Sequence, residues 1–213
     1  MTWTEVDDHI LIVPVGSCEQ HGPHLPLETD TIIATTLARA IVGSRRDAVL
    51  APALTITASG EHRGFAGTLS IGTDALVSVI VELARSADWA SGVVFVNGHG
   101  GNTTALRRAG EVFASEARKV LIWSPSITDG DPHAGRTETS MMLAISPELV
   151  RMDHAGAGPT PTLRALVEHG VRPLSPTGVL GDPTTATADE GIRLLADLTD
   201  QLERAVTDWI ERA

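Results

Sequence analysis

The chain has 213 residues, 42% of them hydrophobic, a formal net charge of −11 and one cysteine, Cys18. That length suits one α/β domain with a sizeable core and excludes a small scaffold that depends on staples, and a lone cysteine excludes an internal disulfide. The acidic balance excludes the basic footprint of a nucleic-acid binder, and an acidic N-terminus without an apolar run near 18 residues gives neither signal peptide nor membrane span, so we expect one domain over 1–213, in the cytoplasm, with no nucleic-acid or membrane partner.

Ile10-Leu11-Ile12-Val13 and Val15, stopping at Gly16, predict a buried strand over 9–16. Ile33, Leu37 and Ile41 then fall four apart, which predicts a helix over 30–42 with Thr29 or Asp30 as its cap. Residues 49–56 read as a second strand, 59–67 as a glycine-rich loop and 68–71 as a short strand. Thr73 or Asp74 caps a helix running to about Trp89, with Leu76, Val79, Ile80 and Leu83 on one face. The continuous apolar run 92–96 suits a parallel strand buried on both faces. A helix over 103–118 and a strand over 119–123 follow.

Residues 124–136 read as loop, and 137–145 as a helix that closes before Pro147. Gly, Pro and Thr dominate 153–186, interrupted by one short helix at 163–169. Thr187-Ala188-Asp189-Glu190 is a capping box, and Leu194, Leu198, Leu202, Val206 and Ile210 form the stripe of a final helix. Alternating strands and helices predict a three-layer α/β/α sandwich with a mainly parallel sheet. Ligands gather beyond the carboxyl ends of such strands, which points to the loops after Gly16 and Val96.

The first of those loops packs Glu19, His21, His24, Glu28 and Asp30 into twelve residues. Extended backbone puts Glu19 and His21 on one side, and mixed imidazole and carboxylate suit zinc, manganese or iron(II). The alternative is a polar loop whose Asp30 merely caps the next helix. Cys18 reads as a small buried residue at the strand end rather than a thiol nucleophile. In the second loop, His99 lies among Gly98, Gly100 and Gly101, where backbone can approach an ion closely. A phosphate-binding loop is the rival, but the Gly-Lys-Ser/Thr ending and the GxGxxG spacing are both missing. Of a third segment, 133–140, His133 alone reads as a loop residue and Glu138 alone as a carboxylate favouring a helix start.

Together, Gly16-Ser17-Cys18-Glu19-Gln20-His21-Gly22-Pro23-His24-Leu25-Pro26 with Asp30, Asn97-Gly98-His99-Gly100-Gly101-Asn102, and His133-Ala134-Gly135 with Glu138-Thr139-Ser140 resemble the creatininase family of amidohydrolases. Gly181-Asp182-Pro183 with Ala186-Thr187 resembles the family's late loop and final helix. The resemblance implies two divalent metal ions per chain (Zn, Fe(II) or Mn). Glu19, Asp30 and His99 would hold one, and His21, Asp30 and Glu138 the other, with Asp30 bridging. A water or hydroxide between the ions would attack an amide carbonyl, and His133 would be the catalytic proton donor to the leaving nitrogen. Creatininase itself carries a carboxylate in the segment matching Gly100 and Gly101, so the fifth ligand here is assigned to Glu138, with Glu61 or Glu28 as the next candidates. The short chain and the segments around Leu25 and His133 look most like the family's peptide-cleaving members, implying a peptide substrate and a homo-oligomer. The alternative is a small amide, creatinine or a formamide.

Overall fold

The computed structural model describes residues 2–212. Four strands, β1 (Ile10–Val15), β2 (Ala48–Leu50), β3 (Gly92–Asn97) and β4 (Val120–Trp123), form one parallel sheet in the order β2-β1-β3-β4. The helices are α1 (Thr29–Ser44), α2 (Thr73–Ser86), α3 (Thr103–Ser115), α4 (Arg136–Ile145), α5 (Leu163–His169) and α6 (Ala188–Glu211).

Every residue of β1 and β3 is buried, so alternate side chains feed two separate cores. On one face Ile10, Ile12, Val94 and Val96 pack with Leu37 and Ile41 of α1, Met142 of α4, and Leu198, Leu202 and Val206 of α6. On the other, Leu11, Val13, Val93 and Phe95 pack with Leu76 and Ile80 of α2 and with Leu106 and Phe113 of α3. The result is the three-layer α/β/α arrangement with helices on both faces of a parallel sheet.

The second strand is shorter than the run 49–56 suggests. On β1, residue 14 faces β2 but is proline, and Pro52 lies in the incoming segment; neither has an N–H for the ladder. Regular pairing therefore stops at Leu50; Ala51 N–H still reaches the Ile12 carbonyl at 2.9 Å, and Leu54 returns as an isolated bridge, donating to the Pro14 carbonyl at 2.9 Å and accepting from Gly16 N–H at 2.9 Å. Residues 68–71 likewise make one bridge, Leu69 to Cys18, rather than a strand. α2 begins after Gly72 without a side-chain cap and ends at Ser86, short of Trp89. α3 ends at Ser115, where Ala117 turns left-handed (φ 51°) and Arg118 N–H reaches back to the Phe113 carbonyl at 3.0 Å.

The capping box at α6 is half as expected. Thr187 Oγ1 accepts from Glu190 N–H at 3.2 Å, but the return arm is taken by Ser140 of α4. Its hydroxyl accepts from Thr187 N–H at 3.1 Å and donates to Glu190 Oε2 at 3.3 Å, tying α4 to α6. One turn on, Gly191 lies so near that a Cβ there would collide with the Ser140 carbonyl. Because that neighbour is backbone, Gly191→Ala is expected to cost about 2 kcal/mol through overpacking, read as a lowered urea midpoint with unchanged slope. An unchanged midpoint would mean the helix pair can spread freely.

Candidate metal centre

The chain runs outward from β1 to β2 on one side and from β3 to β4 on the other, so the sheet order reverses between β1 and β3. Loops leaving the carboxyl ends of two such strands splay apart and leave a crevice. The β1 loop delivers Glu19 and His21, the start of α1 delivers Asp30, and the β3 loop delivers His99. Asn102 locks the two loops together: its Nδ2 donates to the Gly16 carbonyl at 3.0 Å, and its Oδ1 accepts from Ala58 N–H at 3.2 Å.

Five of the side chains singled out above converge here. His21 Nε2 lies 3.1 Å from Asp30 Oδ1 and 3.8 Å from Glu138 Oε2. His99 lies between two carboxylates, with Nδ1 3.1 Å from Asp30 Oδ2 and Nε2 3.1 Å from Glu19 Oε2. His21 Nδ1–H donates to the Glu19 carbonyl at 3.0 Å, which fixes the ring and turns Nε2 to the centre. His133 joins them, with Nδ1 3.7 Å from Glu19 Oε1. Asp30 does not cap α1: Glu28 is the N-cap residue without a side-chain bond, and the Asp30 carboxylate turns inward to accept from Ser17 Oγ at 2.7 Å.

His24 stays outside the cluster. Its Nε2 pairs with Thr139 Oγ1 at 2.9 Å, and burial together with the charge of His21 lowers its pKa to about 4, so it is a packing residue between the β1 loop and α4. Cys18 is half-buried rather than buried, and its thiol donates to the Gly67 carbonyl at 3.6 Å. Glu28 is exposed.

His62 was not foreseen, and Glu61 stood only as a substitute for Glu138. His62 is buried, with Nε2 3.1 Å from Glu19 Oε1, and Glu61 Oε1 lies 3.5 Å from His99 Nε2. Both come from a 3-10 turn, Gly60–His62, in the loop that reads in the sequence as glycine-rich linker. The adjacent Glu-His pair was the available signal.

Gln20 explains how the two outer histidines are set. Its Oε1 accepts from Gly22 N–H at 2.9 Å, so Nε2 is the donor end, reaching His62 Nδ1 at 2.9 Å and the Gly178 carbonyl at 3.2 Å. His133 Nε2–H in turn donates to the Gln20 carbonyl at 2.7 Å. With Gln20 Nε2 donating to His62 Nδ1 and His133 Nε2–H on the Gln20 main-chain carbonyl, His62 turns Nε2–H toward Glu19 and His133 turns its Nδ1 lone pair toward the centre. Burial holds both rings neutral: His62 falls to about 3, helped by His99 and His21, and His133 lies well below the usual histidine value, helped by His21 and His62.

The donor set fits divalent cations. Both Glu19 oxygens are buried without a hydrogen bond. A buried carboxylate left so is costly unless a cation compensates it. Burial, reinforced by Asp30, pushes Glu19 up to about 8 and Glu138 up to about 7. Burial opposes charge on the inner histidines too, yet the carboxylates override it: Asp30 foremost raises His21 to about 10, and Glu19 foremost raises His99 to about 9. Buried Glu19 and Asp30 and half-buried Glu138, gathered around two imidazoles, form a site suited to positive charge. Glu19, His21 and Asp30 offer ligand atoms within 4.8 Å of one another, as do His21, His133 and Glu138.

Above the cluster opens a cavity of about 1290 Å³, lined by Glu61, His99, His133 and Glu138 at its floor, and by Leu163, Leu166 and Val167 of α5 on one wall. Among the described residues, no helix is long and apolar enough to cross a membrane.

The family model described as Creatininase: Creatinine amidohydrolase matches residues 1–206. A mycofactocin precursor peptide peptidase of Mycobacterium tuberculosis is 49% identical over 215 residues, covering 94% of this chain and 85% of the relative. Among solved structures, "Creatininase Mn" superposes with a TM-score of 0.75 at 26% identity, covering 98% of this chain and 96% of that one. A creatininase variant of Zn-Zn type gives 0.76 at 26%, covering 98% and 95%.

Proposed function

The chain belongs to the creatininase family, and from that premise we propose that it is a two-metal peptidase that releases the modified C-terminal unit of the mycofactocin precursor peptide. The observation that carries this choice of substrate is the cavity. At about 1290 Å³ it is larger than the roughly 300–1,000 Å³ of ordinary small-molecule sites, and the apolar side chains Leu163, Leu166 and Val167 of α5 wall it. A small amide such as creatinine would leave most of that space unfilled, whereas an apolar peptide terminus uses it. The relative that is 49% identical over nearly the whole chain carries the peptidase name, which supports the same substrate.

Glu19, Asp30 and His99 would hold one ion, and His21, Asp30 and Glu138 the other. Divalent ions held there supply Lewis-acid polarisation of the amide carbonyl and lower the pKa of a water molecule. The chain's own contribution to proton transfer is His133. Its Nε2–H is committed to the Gln20 carbonyl, so only Nδ1 is free to work. A neutral ring with that lone pair accepts the proton of the attacking water and returns it to the departing amine nitrogen. The C–N bond breaks, the carbonyl carbon keeps the water oxygen, and the ring ends as it began. His62 Nε2 lies 3.1 Å from Glu19 Oε1 and crowds that carboxylate, restraining its rotation.

The test is incubation of metal-loaded protein with the precursor peptide carrying its modified terminus, followed by mass spectrometry of both products. Release of the C-terminal unit, with creatinine and formamides left intact, is expected. Turnover of creatinine or a formamide without cleavage of the peptide would replace this reading with a small-amide one.

A further inference from the structure

Position 101 carries glycine, and the space its side chain would fill is taken by a carboxylate from another loop. A Cβ built on Gly101 would collide with Glu61 Oε1 and His99 Nε2 and would come within 2.6 Å of the Ala58 carbonyl. The turn bearing Glu61 is clamped from the far side of the cavity. The Glu61 carbonyl accepts from Val171 N–H at 2.8 Å, and Gly170, at φ +71°, lets that strand of loop come so close that a Cβ there would lie 2.9 Å from the same oxygen. The backbone of residue 61 is therefore fixed, and its side chain, 31% exposed, is aimed across the cavity floor at His99.

His99 Nε2–H itself donates to the Ala58 carbonyl at 3.0 Å, so the unpartnered group near Glu61 is the Glu19 carboxylate. Glu61 Oε1 lies 3.5 Å from His99 Nε2, which is 3.1 Å from a Glu19 oxygen that is buried and makes no hydrogen bond. We propose that Glu61 is a further protein ligand for a divalent cation on the Glu19–His99 side of the centre, admitted by the absence of a side chain at position 101. This rests on the two-metal reading above. The other half has His21 and Glu138 to itself and shares Asp30; Glu61 gives the His99 half a second carboxylate of its own. Extra carboxylate oxygen suits Mn(II) and Fe(II) at that half.

The test measures metal affinity rather than rate. Full-length protein is stripped, reloaded with Mn(II), and titrated against a chelator, with elemental analysis of bound metal. Glu61→Gln keeps the size and the backbone clamp, and it is expected to weaken one of the two ions at least about tenfold while the other keeps its affinity. Gly101→Ala presses on His99 Nε2 as well as on Glu61, so it should weaken the same ion at least as much as Glu61→Gln does. If Gly101→Ala does not fold, Glu61→Gln decides alone. Two ions held by Glu61→Gln at unaltered affinity would overturn the role of Glu61 and leave the two-metal reading standing. A wild-type chain that binds no Mn(II) or Zn would overturn both.

Discussion

Asp30→Ala is expected to lose both divalent ions and to lower turnover on the order of a thousandfold, since Lewis-acid stabilisation is worth several kcal/mol and each 1.36 kcal/mol is tenfold. The carboxylate stands between the two histidines of the cluster, 3.1 Å from His21 Nε2 on one oxygen and 3.1 Å from His99 Nδ1 on the other. Burial would raise its pKa, but His21 and His99 hold it well below the usual carboxylate range. Its place in the first turn of α1 adds the favourable end of the helix dipole, and Ser17 Oγ donates a hydrogen bond. Alanine is a good helix former, so α1 should survive and the fold, read by circular dichroism, should persist. Elemental analysis is the deciding measurement. Two ions retained in Asp30→Ala would remove the bridging assignment, and one retained would make Asp30 a ligand of a single ion.

The central strands and the first two loops were legible because their signals are local. A continuous β-branched run followed by a polar, glycine-rich segment marks β1 and β3 without knowledge of the rest of the chain. α5 was equally plain: Thr162 Oγ1 accepts from Ala165 N–H at 3.3 Å, and Gly170 closes the helix with a positive φ. The truncated second strand was not legible in its own residues, since half of the reason, Pro14, lies on the partner strand. Asp30 had two readings, cap or ligand, and only the fold shows where its carboxylate turns.

His62 was missed, and Glu61 ranked only behind Glu138, for a different reason. Nothing within ten residues of them carries chemistry, and their partners Glu19 and His99 lie some forty positions away on either side. Gly101 held the hint. A glycine where creatininase carries a carboxylate can mean a lost function or a vacated space filled from elsewhere, and one sequence cannot separate the two. In the structure the space beside Gly101 is occupied by the Glu61 carboxylate, whose backbone is held by the Val171 N–H.

His133 and Glu138 share one segment yet should fail differently when removed. His133→Ala is expected to keep both ions and to cut turnover by about 10²–10⁴-fold, the usual contribution of a general acid–base group. If the ring only orients its loop, the loss should instead appear in KM with turnover at saturation nearly intact. Glu138→Ala should lower metal content as well as rate, because Oε2 lies 3.8 Å from His21 Nε2 on the side assigned to the second ion. It carries an added cost. Glu138 Oε2 also accepts from Ala134 N–H at 2.6 Å, and Ala134 follows His133 in a left-handed conformation at φ 52°. Without that acceptor the strained turn relaxes and His133 loses its aim, so the alanine variant should be at least as slow as His133→Ala. Glu138→Gln isolates the two roles: its amide oxygen can still accept from Ala134 N–H, while the charge that holds an ion is gone. Metal content, turnover and KM of the three variants, measured with the precursor peptide, therefore form one experiment. Full metal content and full rate in Glu138→Ala would remove it from the ligand set.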